Sequence, residues 1–154
     1  MKRKFMIVTT MLFLLSGFTA CIHSEIPELD RSTNILGPDE DHNGIRDDLD
    51  KYIHSLQLSL EEKKAVQQDA RAYQNVMTID PTNLQEAKKA KLALSKSMNC
   101  THIKIIDQDK ARSIHLGLEK YTANTKERTL QYIRYCKTLS GSTWKLLEGD
   151  TCEN

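Results

Sequence analysis

The sequence predicts a mainly α protein, a small helical bundle of about five helices, opened by an acidic loop and closed by an irregular, disulfide-tied tail. Three observations carry this. Apolar residues recur at steps of three and four through most of residues 48–139. Ser59 and Glu62 stand at the spacing of a capping box, in which each satisfies an exposed backbone N–H of a first helical turn. Punctuation falls between the periodic runs, at Pro81 and at Gly141.

The first helix is expected from about Asp48, with Leu49, Tyr52, Ile53 and Leu56 on one face. The second opens at Ser59 and carries Val66, Ala70, Tyr73 and Met77 inward. Pro81 has no N–H and disfavours helix in the residue before it, so "DPTN" breaks the chain. A third helix follows, with Leu84, Ala87, Leu94 and Met98 facing the core, and "CTHIKII" reads as a short extended link. A fourth carries Ala111, Ile114, Leu118 and Tyr121. Asn124 and Glu127 read as the cap of a fifth, with a stripe of Leu130, Ile133, Cys136 and Leu139. It ends at "LSG", where Gly141 suits a left-handed terminus. "STWKLLEGDTCEN" is read as a tail with one strand-like stretch.

Just before the first helix, "DEDHNGIRDDLD" places six acids within twelve positions, 39–50. Such crowding repels unless a cation is present. With Asp39 as position one, Asp41 is third, Asn43 fifth, Gly44 sixth, Asp47 ninth and Asp50 twelfth. A hard cation such as calcium wants about six to eight oxygens. Alternating acid and amide side chains aim oxygens into a tight loop, and glycine permits its sharp turn. The bland reading is a solvated turn in which Asp47 or Asp48 caps the helix.

The pattern D-x-D-x-N-G-I-x-D-x-x-D resembles the calcium loops of EF-hand proteins, dockerins and thrombospondin type 3 repeats. Ile45 after the glycine, with an acid two residues on, is most similar to the thrombospondin type 3 form. The resemblance implies calcium as the bound ion, with ligands Asp39, Asp41, Asn43, Asp47 and Asp50 and the backbone carbonyl of Ile45. Pro38 stands where an EF-hand has its entering helix, and Asp50 where a longer glutamate is usual, which points away from a two-helix sensor. "DEDHNGIRDDLDKYI", followed by helices and a late cysteine, is also similar to the opening of a group of uncharacterised secreted bacterial proteins, a resemblance that implies no activity.

The N-terminus reads as a targeting segment over residues 1–20: "MKRK" followed by an apolar run too short to span a bilayer. "FTAC" resembles the lipobox of bacterial lipoproteins, which implies cleavage before Cys21 and a lipid on Cys21. Ordinary cleavage after Ala20 is the alternative. Ile22 stands where an aspartate would resemble an inner-membrane retention signal. The expected address is therefore a bacterial envelope, lipid-anchored in the outer membrane and facing the periplasm. Residues 21–38, with Pro27, Gly37 and Pro38 and no period, read as a flexible tether. The helical domain is expected over 39–154.

Removing residues 1–20 takes Lys2, Arg3 and Lys4 from 22 basic residues and none of the 21 acids, a net of −2. That excludes a basic surplus for nucleic acid. Cys100, Cys136 and Cys152 remain, and an oxidising compartment predicts one disulfide. Cys100–Cys152 is the preferred pair, with Cys136 a buried free thiol; Cys136–Cys152 is the alternative.

The five histidines show no metal-ligand spacing, and no nucleophile elbow, phosphate-binding glycine loop or H-E-x-x-H occurs. A thiol–imidazole pair of Cys136 with His102 or His115 has nothing in the sequence to bring it together. Trp144 reads as core before binding anchor. The expectation is a non-enzymatic, calcium-binding envelope lipoprotein whose ion is structural. The alternative is an inhibitor or immunity-type lipoprotein, with an envelope protein as partner and the loop only stabilising its scaffold.

Overall fold

The computed structural model describes residues 28–143 and 147–153. Five helices follow in order: α1 (Asp47–Ser55), α2 (Leu60–Thr78), α3 (Leu84–Lys104), α4 (Gln108–Thr122) and α5 (Lys126–Thr138). Among the described residues there is no strand. The expected targeting segment over residues 1–20, Cys21 and Trp144 lie outside the described residues.

α2 is the hub, packing against each of the other four helices. Its position follows from its sequence. The capping box at Ser59 and Glu62 forms in full. Beyond it, Val66, Ala70, Tyr73, Val76 and Met77 are all buried in one core with Leu49 and Ile53 of α1, Ala87 and Leu94 of α3, and Ile114 and Leu118 of α4. The disulfide joins Cys100 to Cys152, 52 residues apart, and ties the tail to α3. In the chain-entropy model, closing that loop contributes about 4 kcal/mol.

Four expectations are corrected. "CTHI" is not an extended link: α3 runs through it to Lys104, because Cys100, Thr101 and Ile105 are buried against the bundle and packing overrides β-branched propensity. Leu84, expected inside, is 43% exposed in the first turn of that helix. The α5 stripe is out of phase. Leu130 and Ile133 are exposed and so is Cys136, which is free but not buried; the buried face is Arg128, Gln131 and Tyr135. The α5 cap is Thr125, whose hydroxyl accepts from Arg128 N, while Asn124 turns to Asp30 and Arg128.

The described part of the expected 21–38 tether, residues 28–38, is not a free linker. Residues 28–38 are strapped to the domain, with Leu29 and Ile35 packed on the core. Arg128, fully buried, donates to the Asp30 carboxylate and to the carbonyls of Asp30, Asn34 and Ile35. Gln74 donates to Leu36 O at 2.7 Å. No apolar period marks this segment because hydrogen bonds, more than side-chain burial, hold it.

Candidate metal centre

The strap delivers the chain into the acidic loop. Gly37 has φ +69°, and a Cβ there would meet Arg46 Cδ at 2.3 Å, so only glycine passes. Pro38 O then accepts from Asp47 N at 2.9 Å, satisfying the first N–H of α1. This carbonyl takes the place expected for an aspartate cap. The N-cap residue itself, Arg46, makes no side-chain cap.

Asp39 and Asp41 are held as oxygen donors by the loop's own backbone. Asp39 Oδ1 accepts from Asn43 N at 3.1 Å and Oδ2 from Gly44 N at 3.0 Å. Asp41 Oδ1 accepts from Asn43 N at 3.2 Å. Asp47, in the first turn of α1, accepts from Glu40 N at 3.1 Å. His42 and Gly44 both adopt positive φ, 55° and 80°, which coils the loop tightly enough for these N–H groups to converge. Ile45 then buries its side chain in the core at 1% exposure, pinning the far end of the loop.

The result brings one carboxylate oxygen each from Asp39, Asp41 and Asp47 within 4.8 Å of one another. Among the described residues, no Lys, Arg or His pairs with any of the three. At such separations each pair of like charges costs about 1 kcal/mol in water and about 3 kcal/mol at the weaker screening of a protein surface. A divalent cation among them reverses the sign of the interaction. Hard oxygen donors on an oriented loop are the chemistry that calcium or magnesium takes.

The remaining residues of the expected ligand set are placed differently. Asn43 Oδ1 accepts from Ile45 N at 2.8 Å, and its Nδ2 donates to Asp41 at 2.9 Å and reaches Asp50 at 3.4 Å. To ligate a cation, its carboxamide oxygen must turn toward the carboxylates. Asp50 stands apart from the triad, accepting from Gln67 Nε2 at 3.3 Å and facing His54 at 3.6 Å. Asp48 belongs to another site altogether. It forms two bonds with the fully buried Arg46, at 2.6 and 2.9 Å, and accepts from Asp30 N at 2.7 Å. Arg46 also donates to the carbonyls of Tyr121 and Thr122. The acidic run therefore divides: Asp48 is neutralised within the fold, and Asp39, Asp41 and Asp47 are not. Arg46 and Asp48, two residues apart, gave no sequence signal for this, since charged residues in so acidic a run read as solvated.

A second cluster was not read from the sequence. Asp69, fully buried on α2, accepts from Ser97 Oγ at 2.7 Å and faces His115 Nδ1 at 2.7 Å; His115 Nε2 meets the Tyr73 hydroxyl at 3.0 Å. An acceptor-only carboxylate accepts a hydrogen bond from Nδ1–H, and in the neutral imidazole Nε2 then accepts from the Tyr73 hydroxyl. Cys136 and His115 do line one cleft, but both imidazole nitrogens are already bonded and do not activate the thiol. Burial, and next the carboxylate of Glu119, push the thiol above its ordinary range. His102 instead meets Gln108 Oε1 at 2.6 Å.

No protein-family model, curated protein or solved structure matches the chain.

Proposed function

We propose that this protein is a non-enzymatic, calcium-binding lipoprotein of a bacterial envelope, in which the ion is structural. The observation that supports it most is the convergence of Asp39, Asp41 and Asp47 on one point without a basic partner among the described residues. The ion's role follows from where the loop sits. One end leaves the strap at Gly37 and the other enters the core at Ile45 and α1. An ion there clamps the strap to the bundle and removes the repulsion that opens the loop. Lipid on Cys21 would hold the domain at the membrane surface.

The test is thermal unfolding of the chain from residue 22 in calcium and in chelator. A higher melting temperature in calcium, lost when Asp39 and Asp41 are both alanine, supports the reading. Equal melting in both would return the acidic run to a solvated turn. Palmitate labelling in cells, compared with Cys21→Ser, tests the anchor: label that persists in the variant would remove it.

A further inference from the structure

Residues of α2, α3, α4 and α5 line a cleft of about 390 Å³. Its floor is aromatic. Tyr73, Tyr132 and Tyr135 follow one another with ring centroids 6.5 and 5.9 Å apart. Tyr73 is fixed from behind by the His115–Asp69–Ser97 chain, so its ring does not swing away. Leu94 and Met98 give an apolar wall, and exposed Cys136 and Ser142 stand at the open side.

Two features of this cleft are unfinished. Tyr135 is 2% exposed, and its buried hydroxyl has no hydrogen-bond partner among the described residues. A buried unpaired hydroxyl costs about 1–3 kcal/mol, so a hydrogen-bonding group reaching it from the cleft gains that much. Glu119 and Lys91, of opposite charge, both line the cleft but make no ion pair with each other or with another described residue.

The character of the cleft favours a cation. Tyrosine faces attract positive charge through the ring quadrupole. Burial, then the carboxylate of Glu119, holds the Tyr132 phenol strongly protonated. Burial, then Asp69, does the same for Tyr73, with Glu119 adding to it. Burial alone disfavours an ion of either sign; the Glu119 carboxylate beside both phenols is what sets the preference for a positive charge. Phenols that stay neutral keep oxygen lone pairs for an N–H donor.

We propose that this cleft binds a primary alkylammonium ligand, its charge seated against the tyrosine faces and Glu119, an N–H given to the Tyr135 hydroxyl, and its chain lying along Leu94 and Met98. Lys91 is the built-in competitor, a tethered alkylammonium at the rim of the same cleft. The site is independent of the acidic loop, from which its lining residues are all distinct.

The experiment is an NMR titration of the full chain, purified in detergent at saturating calcium, with n-butylammonium, putrescine and butyrate as probes. Saturable shifts at Glu119, Tyr132 and Tyr135 with the two amines and none with butyrate are expected. Glu119→Gln should weaken amine binding at least tenfold and Tyr135→Phe severalfold, while Lys91→Met leaves it equal or tighter. Amide spectra of each variant report whether the fold is kept. Glu119 is partly exposed and Tyr135→Phe removes only an oxygen, so both variants are suited to the comparison. Absence of saturable amine binding to the wild type overturns the proposal. So does undiminished binding in Glu119→Gln, or binding of butyrate that Lys91→Met abolishes, which would make the cleft an anion site.

Discussion

Replacing Arg128 by Met tests whether the segment before the acidic loop belongs to the domain. Arg128 is fully buried, and its guanidinium holds the Asp30 carboxylate, the Asn124 amide oxygen at 2.9 Å, and the carbonyls of Asp30, Asn34 and Ile35 at 2.8, 2.7 and 3.1 Å. Methionine keeps most of the volume and none of the donors. The Asp30 carboxylate then loses its cation, and three carbonyls must find water or stay unpaired. Removing one partner of a buried ion pair costs about 3–5 kcal/mol. A domain of this size has about 5–15 kcal/mol in all. Each kcal/mol is worth about 4 °C at the midpoint, so the melting temperature should fall by about 12–20 °C. Asp30→Asn, which keeps a hydrogen-bonding oxygen, should cost less. The double variant should cost less than the sum, because both changes break one interaction. Urea denaturation followed by circular dichroism at saturating calcium measures all three. A flexible tether gives no such effect: if Arg128→Met stays within about 0.5 kcal/mol of wild type, the range of an ordinary surface change, the strap is not part of the fold.

Gly37→Ala should destabilise by more than about 1 kcal/mol, since it combines a left-handed φ with a Cβ 2.3 Å from Arg46 Cδ; an unchanged urea midpoint would contradict the close approach. Cys152→Ser opens the 52-residue loop and should cost about 2–5 kcal/mol, measured the same way under oxidising conditions. Acid should act through Asp30, whose carboxyl the hydrogen bond from Arg128 lowers from 3.8 to about 2. A depressed folded-state value means this contribution is complete above about pH 4 and is lost as pH falls toward 2. The stability gap between wild type and Asp30→Asn should therefore narrow over that window; a constant gap would show that the pair contributes nothing through titration.

Four of the five helices were legible because their buried faces are apolar at helical spacing, as with Val66, Ala70, Tyr73 and Met77 on α2. The fifth was found but turned wrongly. Its buried face uses Arg128 and Gln131, which carry hydrogen bonds into the core, so counting apolar residues selected the exposed Leu130 and Ile133 instead. The same limit hid the strap, whose main anchor is a polar side chain 98 residues away in sequence. The preferred disulfide, Cys100–Cys152, is the one formed, although the free Cys136 is exposed where a buried thiol was expected. At the acidic loop, the spacing picked out Asp39, Asp41 and Asp47, because local turns alone bring them together. It could not separate Asp48, whose partner arginine lies two residues before it but is buried by distant parts of the chain, among them the carbonyls of Tyr121 and Thr122 and the close approach of Gly37.

Extracellular calcium loops bind at about 10⁻⁴–10⁻³ M. If the loop binds in that range, roughly 5 mM calcium would add about 1–2 kcal/mol to stability, enough for a clear thermal shift and for calorimetry. The measurement closest to the central claim is a calorimetric calcium titration of the chain from residue 22, beside the Asp39→Ala, Asp41→Ala double variant. One-site binding in this range is expected for the wild type and none for the variant. No binding heat together with no thermal shift in the wild type, or equal binding in the two proteins, would contradict it.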